Sequence, residues 1–240
     1  MDFSVRSTTK ELLDRDDIPF KDIEQNMKEL EIINTFLGGH RISLAGLGKL
    51  IGNKKTITVC EIGCGGGDNL KAIERYCNKK NIAVQLIGID INPNCVTVAG
   101  SKFKNGNAQF HISDYRLVNF GSGKPDIIFS SLFCHHFSDG DLVAQLQWME
   151  QNCMIGFFIN DLHRHPLAYY SIRWITQAFS KSYLVKNDAP LSVLRGFKSK
   201  ELEKLLDRAS LKNYWLQWKW AFRWLIIYCK KHEIGNKPHI

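Results

Sequence analysis

Two rhythms of apolar and polar positions run along this chain. Between residues 22 and 37 apolar positions recur at helical spacing: Ile23, Met27, Leu30 and Leu37 share one face, Asp22 is the predicted N-cap, and Gly38-Gly39 is the stop. A second helical stretch covers 41–51, before Gly52-Asn53 turns the chain. From residue 56 the pattern changes to short apolar runs. "TITVCEIG" (56–63), a β-branched run fit for a buried strand, "VQLIGIDI" (84–91), "AQFHISD" (108–114), "PDIIFSSLF" (125–133) and "CMIGFFIND" (153–161) read as five strands. Helices fill the intervals: one from Asp68 through Tyr76, one from an Asn92 cap and Pro93 through Phe103, and one from Ser138 or Asp139 across Leu142, Leu146 and Met149.

Alternation of this kind predicts a mostly parallel sheet with helices on both faces. The regularity breaks at 162–197, where a segment longer than an ordinary connection mixes aromatics with His, Arg and Asp. Long insertions after the C-terminal end of a strand commonly carry substrate contacts. A helix returns with Ser199 as its predicted cap and Leu202, Leu205, Leu206 and Ala209 on its buried face. "YWLQWKWAFRWLIIYCKK" then reads as an antiparallel hairpin turning near Ala221.

Composition narrows the class. Hydrophobic residues at 44% and charged residues at 23% match a soluble globular protein, and no apolar run is long enough to span a bilayer. The polar, acidic start "MDFSVRSTTKELLDRDD" is unlike an export signal. Seven cysteines without a CxxC pair point to a reducing compartment, the cytoplasm, rather than to disulfides or zinc. The net charge of +8 raises nucleic acid or acidic lipid as partners, but the basic residues are dispersed and no nucleic-acid partner is expected.

The candidate chemistry begins at "VCEIGCGGGDNL" (59–70), a glycine turn between a strand and a helix N-terminus. Asp90 ends the next strand, twenty-three residues after Gly67. A glycine turn with an acid at that distance suits a ribose-bearing cofactor. The spacing Gly63-x-Gly65-Gly66-Gly67 departs from the dinucleotide fingerprint, and Glu61 would repel a pyrophosphate. Both features suit S-adenosylmethionine, which carries an ammonium and a sulfonium and no phosphate.

At these residues the chain resembles the class I S-adenosylmethionine-dependent methyltransferases. "VCEIGCGGGDNL", "IGIDIN", "HISDY" and "DIIFSSLFCHHFSD" are similar to their successive motifs, and the likeness covers about 22–230. It implies an α/β, Rossmann-like, seven-stranded mostly parallel sheet with an antiparallel C-terminal hairpin, helices on both faces and a helical cap after the fifth strand. It further implies an N-terminal helical lid segment (1–52), in which Gly38, Gly39 and His40 close over the cofactor. The methyltransferase domain would be 53–240, with 162–197 as the acceptor-side cap. Glu61, Gly63, Cys64 and Gly65 would line the methionine and ribose of S-adenosylmethionine. Asp90 would hold the ribose hydroxyls, with Ile91 beside the adenine. Asp114 would accept from the adenine amino group with Tyr115 adjacent, and Ser130 and Ser131 would lie under the methionine end. "NDLHRHPLAYY" and "NDAPLSVLRGF" resemble quinone-biosynthesis and polyketide-tailoring members.

The expected activity is methyl transfer to a small aromatic or polyketide-like acceptor, with oxygen the favoured atom. The alternatives are an RNA or protein methyltransferase and a non-catalytic S-adenosylmethionine-binding protein. Transfer to a hydroxyl calls for a base. His135 and His136 follow the fourth strand; Asp161, His163 and His165 follow the fifth. His163 is the first choice, with Asp161 orienting it or the cofactor. No metal is expected, since the spacing matches no zinc signature. Tyr169, Tyr170, Trp174, Phe179 and Tyr183 are candidates to wall the acceptor pocket or to pack in the core, and Arg173 and Arg195 to pair with an acidic acceptor or with surface carboxylates. Trp215, Trp218, Trp220 and Trp224 are expected to pack on both faces of the hairpin. A monomer or homodimer is expected.

Overall fold

A computed structural model describes residues 1–15, 17–103 and 106–230. Residues 231–240 of the expected methyltransferase segment lie outside the described residues. The chain enters through α1 (Phe20–Phe36) and α2 (Gly39–Ile51), and then alternates: β1 (Thr56–Ile62), α3 (Asp68–Lys79), β2 (Ala83–Asp90), α4 (Pro93–Ser101), β3 (Ala108–Ile112), β4 (Ile127–Ser131), α5 (Asp139–Asn152) and β5 (Gly156–Leu162). The insertion folds as two helices, α6 (Pro166–Phe179) and α7 (Tyr183–Arg195). They are followed by α8 (Ser199–Arg208) and the hairpin β6 (Tyr214–Lys219) and β7 (Arg223–Cys229).

The sheet order is β3-β2-β1-β4-β5-β7-β6, with β1 to β5 parallel and β7 antiparallel to both β5 and β6. The order reverses between β1 and β4, which opens a crevice at the C-terminal ends of these strands. Side-chain alternation divides the core in two. Cys60, Ile62, Phe157 and Ile159 face α5 and α8, whereas Ile57, Val59 and Phe158 face α2 and α3. Glu61 therefore shares the α2/α3 side with Val59, and Asp161 shares the α5/α8 side with Ile159.

Several predicted boundaries move. Helix α1 begins at Phe20 behind Pro19, whose fixed backbone suits a helix start, so Asp22 lies in the first turn and is not the N-cap. Gly38 adopts φ +74°, and only Leu37 and Gly38 separate the helices; α2 starts at Gly39. Asn92 caps α4 and Ser138 caps α5, as predicted. Ser199 is the first residue of α8, while Lys198 holds the cap position and donates its N–H to Glu201 at 2.8 Å. The strands read at 108–114, 125–133 and 153–161 are shorter at one or both ends than their apolar runs.

The first fifteen residues carry little apolar signal, yet they are pinned to the fold. The Asp188 carboxylate accepts from the N–H groups of Leu12 and Leu13 at 2.8 and 2.9 Å, and Ser7 N–H reaches the Leu194 carbonyl at 3.1 Å. Arg164, almost wholly buried, donates to the carbonyls of Phe3 and Ser4. A polar strap thus lies across α7 and the end of β5.

Candidate active site

The glycine turn leaves β1 and enters α3. Gly63, Gly65 and Gly67 hold φ of +66°, +48° and +71°, a region that disfavours side chains, and Gly67 is the N-cap of α3. The glycines are there partly for packing. A Cβ on Gly63 would lie 2.2 Å from the Phe133 ring, and one on Gly66 would lie 3.1 Å from Met27 of α1. Only Gly65 leaves room, with Met27 Sδ at 3.6 Å. Gly63→Ala is expected to lower stability by about 2–3 kcal/mol through strain and the displaced Phe133 ring, read as a lower urea midpoint at unchanged slope.

Three carboxylates surround this turn. Asp90 accepts from Gly65 N–H at 2.8 Å and from Asn92 N–H at 2.9 Å. Burial pushes its carboxyl above the usual range, and these hydrogen bonds partly oppose the rise. Glu61 is 1% exposed and its Oε2 has no hydrogen-bond partner among the described residues. Burial, with Asp68 and Asp90 nearby, holds it well above the ordinary carboxylate range. Burial acts in the same direction on Asp68, but a 2.7 Å contact to His40 Nε2 and a 2.9 Å hydrogen bond from Asn34 Nδ2 bring it below its ordinary value. His40 is thus anchored to the first turn of α3, which places the expected lid segment beside the glycine turn.

A connected set of polar groups continues under α2. Asn160 Nδ2 donates to the Gly39 carbonyl at 3.0 Å and to Ser43 Oγ at 3.2 Å, and Ser43 Oγ donates to Asn69 Oδ1 at 2.9 Å. Among the described residues, four buried polar atoms in this region lack a partner: Glu61 Oε2, Asn34 Oδ1, Asn160 Oδ1 and Arg223 Nη1. Asn34 and Arg223 both crowd Gly39, where a Cβ would lie 1.7 Å from Asn34 Oδ1 and 3.1 Å from Arg223 Nη1. Arg223 is 3% exposed, and burial lowers its guanidinium to about 10 against the attraction of Asp161 and Asp68. Unpartnered buried groups of this kind are costly, and natural folds keep them for a reason. Asn34, Asp68, Asn160 and Arg223 were absent from the sequence-derived site.

The other predicted cofactor residues divide into two groups. Ile91 stands 73% exposed at the crevice rim beyond β2. Ser131 Oγ accepts from Asn160 Nδ2 at 3.3 Å and so joins the polar set. Asp114 is partly exposed but held by the Arg116 guanidinium, which keeps its carboxyl below the usual range. Cys64, Ser130 and Tyr115 are buried. Cys64 packs with the α2/α3 core, Ser130 Oγ lies 3.2 Å from Cys134 Sγ, and Tyr115 packs against Phe133, Phe137 and Trp148. For Cys64 and Tyr115 the side chain serves the core.

The base candidates are not arranged as predicted. Asp161 Oδ1 meets His135 Nδ1 at 2.7 Å, and His163 Nδ1 instead accepts from Trp218 Nε1 at 3.2 Å. Asp161 therefore orients His135, a correction to its assignment beside His163. Burial opposes the charge on His135, but Asp161 and Glu11 outweigh it and raise the imidazole to about 9. The same partnership keeps Asp161 below its usual range despite burial. Glu11 of the strap stands 3.4 Å from His135 Nε2, an ion-pair distance without hydrogen-bond alignment. It also stands 3.6 Å from His136 Nε2, and the three side chains bring ligand-type atoms within 4.8 Å of one another. Ion pairing accounts for this cluster. Arg195 fixes the same loop by donating to the His135 and His136 carbonyls at 3.1 and 2.7 Å, so it is a structural cation and not an acceptor-binding one.

The aromatics of the insertion face the other way from the prediction. Tyr169 is buried, but Tyr170, Trp174, Phe179 and Tyr183 point outward. In the hairpin, Trp218 and Trp220 are likewise exposed, whereas Trp215 and Trp224 are partly buried.

A glycine turn and an acid at neighbouring parallel strand ends, closed by an antiparallel hairpin, define the fold of the class I S-adenosylmethionine-dependent methyltransferases. Residues 59–156 match a family model described as a methyltransferase domain. Human N-acetylserotonin methyltransferase, solved with S-adenosylmethionine, superposes with a TM-score of 0.62 at 18% identity over 88% of this chain; the chain spans 56% of that enzyme's length. The plantazolicin methyltransferase, solved with a monoazolic desmethyl analogue and S-adenosylhomocysteine, gives 0.63 at 16% identity over 87% of this chain and 89% of its own. A methyltransferase from Aquifex aeolicus gives 0.59 at 16% identity over 86% and 97%. No curated protein sequence matches the chain.

Proposed function

We propose that the protein binds S-adenosylmethionine and transfers its methyl group to a hydroxyl of a small aromatic or polyketide-like acceptor. The observation that carries this reading is a pair of buried polar atoms without a partner among the described residues, Glu61 Oε2 beside Asp68 and Asp90 and Arg223 Nη1 beside Gly39. Glu61 Oε2 suits an ammonium, Arg223 Nη1 suits a carboxylate, and together they match the zwitterionic end of an amino-acid-derived cofactor. Asp90 holds the ribose hydroxyls, and Ile91 at the rim covers the adenine. The segment 1–52 acts as the lid, tied down through His40 and Asp68 and through Met27 over the turn.

Bound S-adenosylmethionine supplies an electrophilic methyl group on a good leaving group. The chain contributes alignment, exclusion of water and a proton acceptor. His135, oriented by Asp161, is the base; its Nε2 takes the acceptor proton where Glu11 now stands. Phe133 seats the His135 loop directly over Gly63, which brings the base next to the cofactor turn. His163, hydrogen bonded to Trp218 beside the hairpin, is the weaker candidate. The relatives named above act on small molecules in two of three cases, which supports a small acceptor. Chemistry of this kind, in a chain with seven free, buried cysteines, fits the cytoplasm.

Isothermal calorimetry provides the test. S-adenosylmethionine and S-adenosylhomocysteine are expected to bind and NADH to give no heat; a preference for NADH would remove the methyltransferase reading.

A further inference from the structure

The exposed aromatics rejected as pocket walls form a surface of their own. Helix α6 turns Ala168, Tyr169 and Ile172 inward, its outward face carries Leu167, Tyr170 and Trp174, and Phe179 is exposed at its C-terminal end. Trp174 is 76% and Phe179 83% exposed, high values for large apolar side chains carried by one helix. Helix α1 lies alongside, because Glu29 accepts from the N–H groups of Lys181 and Ser182 and Ile33 and Leu37 pack on the α6 cluster. It adds Phe36, 80% exposed. At the other end the hairpin tip adjoins, with the Phe222 ring stacked on His165, the cap residue of α6, at 5.1 Å. Trp220 extends the face there.

Charge identifies the occupant. No Asp or Glu occurs between 162 and 187 or between 208 and 230, while Arg173, Lys181 and Lys219 lie on or beside the aromatic face. Among the described residues, none of these three takes part in an ion pair. Tryptophan, phenylalanine and leucine backed by unpaired cations, with no acid in the helix, is the composition of a helix that lies in a bilayer interface. No helix among the described residues is long and apolar enough to cross a membrane, so the contact is peripheral.

We infer that the α6 face, with Phe36 and Trp220, docks on an anionic lipid surface. This does not rest on the proposed methyl transfer. The purified full chain would be co-sedimented with vesicles of phosphatidylcholine alone and with vesicles containing about one-third phosphatidylglycerol, in low and high salt. Binding is expected on the anionic vesicles, weakened by salt, with a blue-shifted tryptophan emission. Trp174→Glu/Phe179→Glu changes two exposed side chains, so its thermal melt should match the parent, and its partition should fall by at least roughly 10-fold. Failure to bind anionic vesicles, equal binding by the double variant, or a concentration-dependent dimer that the variant dissolves would each overturn the inference. The last result would assign the face to a second copy of this chain.

Discussion

Asp90→Ala is expected to abolish measurable S-adenosylmethionine binding while leaving a folded protein. The Asp90 carboxylate organises its surroundings from both oxygens, with one on Gly65 N–H and the other on Asn92 N–H. It therefore fixes the one glycine of the turn that has space above it, and in the proposed complex it also accepts from the ribose. Losing a charge-assisted acceptor of this kind costs about 3 kcal/mol or more in affinity, at least a hundredfold in Kd. Asp90→Asn keeps the shape but loses the charge, and should fall between. Calorimetry with S-adenosylhomocysteine reads the effect, and the urea midpoint checks the fold. Unchanged affinity in Asp90→Ala would mean that the cofactor lies elsewhere.

The fold was largely legible because the inner strands of a doubly covered parallel sheet are apolar along most of their length, and the runs of β1, β2, β4 and β5 stand out between helix caps, whereas the edge strand β3 has no buried residue. Asn92-Pro93 and Ser138 are local signals, and local signals place helix starts well. The strap at 1–15 was illegible for the opposite reason: it binds through carbonyls, N–H groups and Glu11, Asp14 and Arg6, with no apolar rhythm. The site was legible where a motif is contiguous. Asp161 and His163 alternate in the sequence, which invites pairing, but two residues on one strand face do not meet when a loop from the next strand inserts His135 against one of them. Arg223 was invisible because it sits in a run of aromatics that reads as core. Its buried Nη1, without a partner among the described residues, becomes apparent only when β7 is laid against β5, with Leu162 opposite Arg223. Outward orientation of α6 is likewise a tertiary fact, since helical spacing alone cannot say which of its two apolar faces meets α7.

His135→Gln is expected to lower kcat by roughly 10²–10⁴-fold with S-adenosylmethionine affinity preserved, the range a positioned base contributes. Asp161→Asn should approach the same loss, because the imidazole would lose both its orientation and the charge that stabilises the protonated form. A structural role alone would depress both variants at every pH. A base role adds a pH signature. His135 must be neutral to accept a proton, and the neighbouring Asp161 and Glu11 hold it protonated up to about pH 9. Activity should therefore rise with pH through that value. Asp161→Asn removes a stabilising charge and should move the rise to lower pH, as should Glu11→Gln to a smaller extent. Stability runs the other way. A histidine raised above its unfolded value of about 6.5 contributes fully below that pH, and the contribution fades between there and about 9 as the pair is neutralised. His135→Gln should thus flatten the decline of stability over that window in urea titrations at successive pH values. A pH–activity profile identical in Asp161→Asn and the parent would exclude His135 as the base and return the role to His163, whose imidazole burial and nearby cations already hold below its ordinary value.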